Sequence, residues 1–499
     1  MSPDYGTYQT FADANQWLAI WPEISYGVLA LLLLALEVIF PKVKHALVPR
    51  VAILGQAVLL LLLATSIYNV KDVTVFGDIL QLSTFGNIMR VFFAACSLCA
   101  SFVAGIYLKR NQLPRVEFYH ILLVVTASFM LLVQSGHFVM LFVALETVTI
   151  SLYILVSYSR NSTASLEAGF KYLIQGALSS AILLFGIVLL YGTAGNPLLE
   201  GTATDPLAFS DIGEFLTVNS HNYVAIIGAL MVLAGVCFKI AAVPFHVWVG
   251  DVYQGAPTPV TALLAVASKA SGFVVLLALV MGPFEPLAYI TKPLLSTLAV
   301  LTILVGNISG VGQKNVKRVM GMSGIAHAGY LLIGVVAYMS GVDMAIHAIV
   351  FYLFVYMLAS FGVFSVMAHV SREDDSIMML EDYGDLLKDN PFLGTVLAVG
   401  LGSLAGIPPL AGFIGKLLLF IAAFKAGLYV LLGFAILGVV ISISYYFGWI
   451  KAAVFLNPEV DPIHSTLYIP SRGMRIFMSV ITLLTIVIGI YQGFVGVLL

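Results

Sequence analysis

Charge is what this sequence has least of. Only 10% of its 499 residues are charged, against about 25% in a soluble globular domain, which excludes a water-soluble fold. The net charge of −2 offers nothing to a nucleic-acid polyanion. Cysteine is nearly absent: Cys96, Cys99 and Cys237 are too few for a disulfide framework or a four-thiolate metal site. Cys96 and Cys99 mimic a C-x-x-C pair, but they lie in an apolar helical run and read as packing residues. No positively charged segment opens the chain, where Asp4 and Asp13 stand instead, so a cleaved signal peptide is not expected. Nucleotide, flavin, haem and iron–sulfur motifs are missing, and no histidine–acid pair has metal-ligand spacing, so neither metal nor cofactor is expected in this chain. The glycine run from Gly400 to Gly406 misses the dinucleotide spacing and follows no strand. Gly402 and Gly406 instead match the small-xxx-small pattern of close helix packing.

What is present is apolar length. Hydrophobic residues make up 61% of the chain and mean hydropathy is +1.03. Runs long enough to cross a bilayer recur from residue 24 to the C-terminus. They resolve into fourteen spans, near 24–40, 50–68, 86–108, 118–135, 138–158, 166–192, 222–248, 257–281, 293–310, 318–338, 344–369, 391–424, 428–450 and 474–498. The expected fold is an all-α polytopic membrane protein, one transmembrane domain over residues 1–499.

Basic residues test the count. With the N-terminus outside, the inside loops carry Lys42, Lys44, Arg50, Lys109, Arg110, Arg115, Arg160, Lys314, Lys317, Arg318, Arg372, Lys388, Lys451, Arg472 and Arg475. The outside loops carry only Lys71, Lys292 and Lys425. A miscounted helix would scramble so strong a positive-inside bias, so both termini are expected outside.

Five basic residues remain within spans. Arg90 and Lys171 lie close enough to helix ends to snorkel to the interface. Lys239, Lys269 and Lys416 lie deeper, where a lysine costs about 2.5–3.5 kcal/mol on insertion scales. Most acids lie in loops: Glu200, Asp205, Asp211 and Glu214 on one side, Glu373-Asp374-Asp375 with Glu381, Asp382 and Asp385 on the other. The second group reads as a solvated or partner-facing surface, not a metal site. Glu146 is the exception, well inside the fifth span, while Glu37 sits near a span boundary.

Two spans are broken by proline. Lys239 precedes Pro244 by five residues in the seventh, and Lys416 follows Pro408-Pro409 in the twelfth. A proline inside a helix removes a backbone hydrogen bond, and in lipid such a break is tolerated only where protein or water shields it. The breaks are five spans apart. A five-helix unit repeated once must be inverted, and corresponding interruptions in two inverted halves point to a transport path.

These residues suit proton transfer. Burial disfavours Lys⁺ and a neighbouring carboxylate favours it, so Glu146 with Lys239 forms a candidate switch; the alternative is a static ion pair joining two helices. Lys269, among Ser268, Ser271 and Gly272, has room for water and suits a relay, or else pairs with a backbone carbonyl. Lys416 is a candidate exit group or a snorkelling lysine. His327 is a bridging relay, since imidazole titrates near neutrality, or a packing histidine. His246 and His347 are weaker candidates; His246 would satisfy backbone groups freed by Pro244.

The stretches Phe238-Lys239, Pro244 to Trp248, Asp251 to Val260, Ala267 to Lys269, Glu167 to Leu173, Ser323 to Tyr330 and Gly406 to Lys416 together resemble the subunit N family of bacterial NADH-quinone oxidoreductase, respiratory complex I. The Asp251-Val252-Tyr253-Gln254-Gly255-Ala256-Pro257 run favours subunit N over its sister antiporter-like subunits, and the absence of a long lateral C-terminal helix fits it. The resemblance implies two inverted repeats, helices 4–8 over 118–281 and helices 9–13 over 282–456, preceded by helices 1–3 (1–117) and followed by helix 14 (457–499). It implies that Glu146 and Lys239 take the family's ion-pair roles, Lys269 the central and Lys416 the terminal lysine role. NADH, FMN, iron–sulfur clusters and quinone would belong to other subunits, so the chain would be part of an enzyme without redox chemistry of its own. Its partners would be neighbouring membrane-arm subunits and the lipid of a bacterial inner membrane. Val249-Gly250, where the family often has Thr-Pro, touches a loop only. Two other readings stand beside this one: a subunit of a multi-subunit cation/proton antiporter, which shares the fold, and a scaffold whose buried charges merely lock helices.

Overall fold

The computed structural model describes residues 15–40, 44–67, 72–371, 378–455 and 470–491. Asp4, Asp13, Lys42, Lys71, Arg372, residues 373–375 and the end of the last expected span lie outside these residues. Among the described residues, thirteen helices are long and apolar enough to cross a membrane. They include α1 (Trp21–Ile39), α2 (Lys44–Ser66), α3 (Thr84–Arg110), α4 (Val116–Val133), α5 (Phe138–Val156) and α6 (Thr163–Ala194). A hairpin of β1 (Val73–Val75) and β2 (Leu80–Leu82) precedes α3, and a short helix, α7 (Phe209–Val218), precedes α8 (Tyr223–Ile240). After the eight-residue α9 (Trp248–Gly255) come α10 (Thr258–Met281), α11 (Ala288–Val311), α12 (Val316–Tyr338) and α13 (Met344–Val370).

The twelfth span is present in two pieces, α14 (Pro391–Ala405) and α15 (Ala411–Lys425), of 15 residues each. At 1.5 Å per residue each is about 22 Å long, short of a ~30 Å hydrocarbon core, so only together do they cross. The bundle closes with α16 (Tyr429–Val454) and α17 (Arg472–Ile490). The expected all-α fold of fourteen crossings is what the chain adopts.

Side-chain caps start the helices: Ser83 accepts from the Gly86 N–H, Ser162 from Ser165, Asn222 from Val224 and Ala225, and Asn315 from Lys317 and Arg318. Each cap satisfies N–H groups that the first turn leaves free. Both breaks end their first half-helix in one way. Ala241 (φ 59°) and Gly406 (φ 85°) are left-handed. In the first break the N–H groups of Ala241 and Ala242 reach back to Cys237 and Phe238; in the second, those of Gly406 and Ile407 reach Gly402. This is the Schellman termination, in which a left-handed residue folds the chain back over the last turn. It stops α8 at Ile240, eight residues short of the expected boundary. It also corrects the reading of Gly402 and Gly406: Gly406 is the terminator and Gly402 its carbonyl acceptor. The helix-packing glycine is Gly400, where a Cβ would stand 2.8 Å from Val363. Cys96 and Cys99 are buried and unpaired, as packing residues.

Helices α10, α12 and α13 form the centre. In each, 94% of the apolar stretch is buried, against 22% for Leu47–Ser66 in α2. A helix apolar all round belongs inside other helices, and these three carry Lys269, His327, Tyr330, Tyr352 and Tyr356. The loops between Arg110 and Pro114, around Tyr158, and at Asp251 and Arg318 gather at one end of the bundle. This end is the basic face. Gln81, Gln134, Gly136 and Phe209 meet at the opposite one.

Candidate functional site

The last turn of α8 puts Lys239 into the bundle at 7% exposure; Lys269, His327 and Lys416 are each 3% exposed. Glu146 on α5 is half-buried. The structure does not bring Glu146 and Lys239 into direct contact. The Lys239 ammonium donates to the hydroxyl of Thr149, one turn along α5 from Glu146, and Thr149 in turn donates to the Leu145 carbonyl at 2.6 Å. The Glu146 carboxylate takes the hydroxyl of Ser180 from α6. The expected ion pair is therefore open, each charge held by a neighbouring hydroxyl. Thr149 and Ser180 were not singled out in the sequence, although Thr149 lies at helical spacing i+3 from Glu146.

Lys269 follows a π-helical turn, Leu264–Ser268, a local widening often found at functional positions. Gly272, on the next turn, packs against Ile240 and the Lys239 Cβ, which a Cβ here would approach to 2.6 and 3.3 Å. The two lysine-bearing helices thus touch. Lys269 Nζ has no hydrogen-bond partner in the protein among the described residues, and the Tyr356 hydroxyl of α13 has no well-formed one, although the Ser360 hydroxyl lies beside it. The expected carbonyl partner for Lys269 is not there. Both atoms border Gly324 of α12: a Cβ there would lie 2.5 Å from Lys269 Nζ and 3.3 Å from Tyr356 Oη.

One turn along α12, His327 sits between two tyrosines. Its Nδ1 pairs with Tyr352 Oη, and its Nε2 lies 3.0 Å from Tyr446 Oη, which pairs with Ser323 Oγ at 2.5 Å. Both ring nitrogens are engaged, and the Tyr356 ring lies 4.8 Å from the imidazole between centroids. His327, Tyr352, Tyr356, Ser403 and Lys416 wall a void of about 10 Å³, room for about one water. Lys416 closes it. Its ammonium donates to the carbonyls of Leu404 and Ala405 at 2.8 and 2.9 Å and stands 5.4 Å from the centre of the Tyr330 ring. These are the carbonyls that the second break leaves without helical partners, so Lys416 does not snorkel.

Larger clefts, of about 530 and 440 Å³, lie around Asn111 and Asn161 on the basic face. Their walls include none of these groups. His347 is exposed at the start of α13 and His246 is half-buried beside the first break; neither joins the line. His246 Nδ1 takes no hydrogen bond, but the ring is hydrogen-bonded to the Pro244 backbone as expected, and Thr302 of α11 accepts the Val243 N–H at 3.0 Å.

One basic residue differs from expectation. Arg90 does not snorkel: its Nε donates to Glu23 at 2.7 Å, with the two side chains 3% and 4% exposed. Burial against α1 supplies the carboxylate that water would otherwise replace. Lys171 bridges Glu167 and Asp251 at 2.7 Å each, and Asp251 also pairs with Arg318 at 2.5 Å. Hydrogen bonding from Lys171 holds the Asp251 carboxyl below its ordinary value of 3.8. Among the described residues no cluster of histidine, cysteine and acids forms a metal site.

A family model described as NADH:quinone oxidoreductase/Mrp antiporter, TM, matches residues 135–442. The chain belongs to this family. Within it, the chain is 53% identical over 494 residues to NADH-quinone oxidoreductase subunit N 1 of Opitutus terrae, covering 97% of each. In structure it is similar to a chain of respiratory complex I from Thermus thermophilus, at 29% identity and TM-score 0.77, covering 95% of this chain and 98% of that one. It also shares its fold with a chain of the Mrp complex from Dietzia sp., at 20% identity and TM-score 0.81, over 97% and 96% of the two chains. The family's two named branches match the two transport readings of the sequence, and sequence identity places this chain with the oxidoreductase branch.

Proposed function

We propose that this chain is the N subunit of a proton-translocating NADH:quinone oxidoreductase and carries one proton path through its membrane arm. One observation supports this reading above the rest: Lys239, Lys269, His327 and Lys416 are all buried on helices that pack in succession, and His327 and Lys416 share a water-sized void. Buried ionisable groups in a membrane are functional by default, and four in sequence across both broken helices fit a path better than a scaffold.

In this reading the open arrangement at Glu146 and Lys239 is one state of a switch. With the carboxylate on Ser180 and the ammonium on Thr149, the mutual attraction that favours Lys⁺ is weakened. Closing the pair would load Lys239, and opening it would release its proton toward Lys269. From there the path runs past His327 to Lys416 at the second break. The basic face lies inside and both termini outside, by the positive-inside rule. Residues 118–281 and 282–456 act as the two inverted repeats. Redox groups reside in other subunits, and the chain's partners are neighbouring subunits of a bacterial inner-membrane complex.

The test is made in the assembled complex. Lys239→Ala or Glu146→Ala is expected to leave assembly intact and depress NADH-driven proton uptake. Normal assembly with unchanged uptake would sink the path. Co-purification with NADH-oxidising subunits separates this reading from a cation/proton exchanger.

A further inference from the structure

His327 looks like the natural link between Lys269 and Lys416, but its geometry argues against a direct one. Each imidazole nitrogen already faces a tyrosine hydroxyl, Tyr352 on one side and Tyr446 on the other. Neither nitrogen is left to meet Lys269. The group that does meet it is on α13: Tyr356 Oη shares the Gly324 gap with Lys269 Nζ, its ring rests on His327, and the same side chain walls the void that Lys416 closes.

We propose that Tyr356 is the proton-relay residue that connects Lys269 to the Lys416 void, a role resting on the reading that both lysines carry protons. Lys269 Nζ is a buried polar atom without a protein partner, and Tyr356 Oη lies beside the Ser360 hydroxyl of its own helix without a well-formed hydrogen bond to it, a costly state unless lysine and tyrosine bond each other or an intervening water. Gly324 makes the gap between them, because any side chain there would displace one or both. A phenol hydroxyl can accept and donate at once. When Lys269 passes a proton to Oη, directly or through one water, its N–H bond breaks as a new O–H bond forms, the phenol's original O–H breaks, and that proton crosses the void to a neutral Lys416, which becomes the ammonium. Lys269 ends neutral, tyrosine ends neutral, and no charge is left on the ring. His327 then positions Tyr356 and polarises the void.

The test uses the whole complex in native membranes with four measurements: assembled complex, NADH oxidation by a soluble acceptor that bypasses the membrane arm, NADH-driven proton uptake, and its solvent isotope effect. Tyr356→Phe keeps the ring against His327 and removes only the hydroxyl. It is expected to assemble and to oxidise NADH normally with the soluble acceptor, while proton uptake falls about tenfold or more, since a positioned proton-transfer group typically supplies ~100-fold or more. The solvent isotope effect is expected to rise, which loss of packing alone would not cause. Gly324→Ala retains every titratable group but fills the gap, and is expected to show the same defect. If Tyr356→Phe pumps like the parent while Lys269→Ala does not, the hydroxyl is not on the path and the proposal fails alone. If Lys269→Ala also pumps normally, the reading of the lysines fails with it. Should Tyr356→Phe not assemble, Gly324→Ala decides by the same criterion: parental uptake overturns the proposal, and a matching loss with a raised isotope effect supports it.

Discussion

The ammonium of Lys416 folds back across the second break to the carbonyl of Leu404, 2.8 Å away. Twelve residues separate the two in sequence. A Schellman turn satisfies only some of the carbonyls at a helix end, and in lipid no water is at hand for the rest. Lys416 supplies the missing donors to Leu404 and Ala405, and a cation there also suits the negative end of the α14 dipole. The first break is served differently. There the Trp248 indole donates to the Phe238 carbonyl at 3.3 Å, which leaves the Lys239 ammonium for Thr149. One lysine is tied to its break and the other is not.

Lys416 therefore has two separable jobs. Lys416→Met is expected to leave two buried carbonyls without partners, at about 1–3 kcal/mol each, lowering both the amount of assembled complex and its thermal midpoint. Lys416→Arg keeps donors at the break and is expected to recover assembly, yet not proton uptake, because guanidinium does not deprotonate in proteins. Assembly on native gels, set beside NADH-driven uptake, separates the two. Full uptake in the arginine variant would remove Lys416 from the path.

At the other end of the line, Thr149 is the only hydroxyl that holds the Lys239 ammonium among the described residues. Thr149→Val keeps the β-branched shape and removes the oxygen. The freed ammonium then has Glu146, one turn away, as its nearest remedy, so the pair is expected to stay closed and proton uptake to fall several-fold; a hydrogen bond to a charged group is worth about 1.5–3 kcal/mol. Thr149→Ser is expected to restore uptake. Equal loss in both variants would mean packing, not the hydroxyl, matters at this position.

The buried lysines, the two breaks and the number of crossings were legible because each violates what lipid tolerates, and a violation shows in one dimension. Their partners were not. Thr149, Ser180, Tyr352 and Tyr446 are ordinary residues for apolar helices, and only helix packing turns the first two hydroxyls toward a charge and the last two toward the His327 imidazole. Arg90 was misread for the same reason. Its distance from a helix end suggested snorkelling, and nothing in the sequence indicated that Glu23, 67 residues earlier, would be pressed against it. The Glu146–Lys239 pair was legible only as a pair of charges: the structure shows it open, with the hydroxyls of Ser180 on α6 and Thr149 on α5 each holding one partner.

Arg90 provides a control for function against structure. Arg90→Met leaves Glu23 buried without its partner, which typically costs 3–5 kcal/mol, roughly, for a buried pair. Assembled complex is expected to drop sharply. The double variant Glu23→Gln with Arg90→Met removes both charges and is expected to recover part of the assembly. In whatever complex forms, proton uptake per assembled molecule is expected to match the parent, because this pair lies on α1 and α3, off the line from Lys239 to Lys416. A changed uptake per molecule would bring Arg90 into the path.

Asp251 yields a prediction in pH. Its carboxyl is held below 3.8 by hydrogen bonding from Lys171, with Arg318 adding to the effect, so its folded value is depressed. The stabilisation it confers is then fully present above the ordinary carboxylate value and is lost as pH falls through the lowered one. The side chain is 40% exposed, and solvent screening limits each pair to about 0.2–1 kcal/mol. Asp251→Asn is accordingly expected to lower the thermal midpoint of the detergent-solubilised complex by a small, constant amount from pH 8 to about 5. Below pH ~4 the gap is expected to close, as the parent's own carboxyl takes up a proton. Thermal melts of both proteins across that range decide it. A gap that persists undiminished in acid would mean that Asp251 holds α9 against α6 and α12 by its shape rather than by its charge.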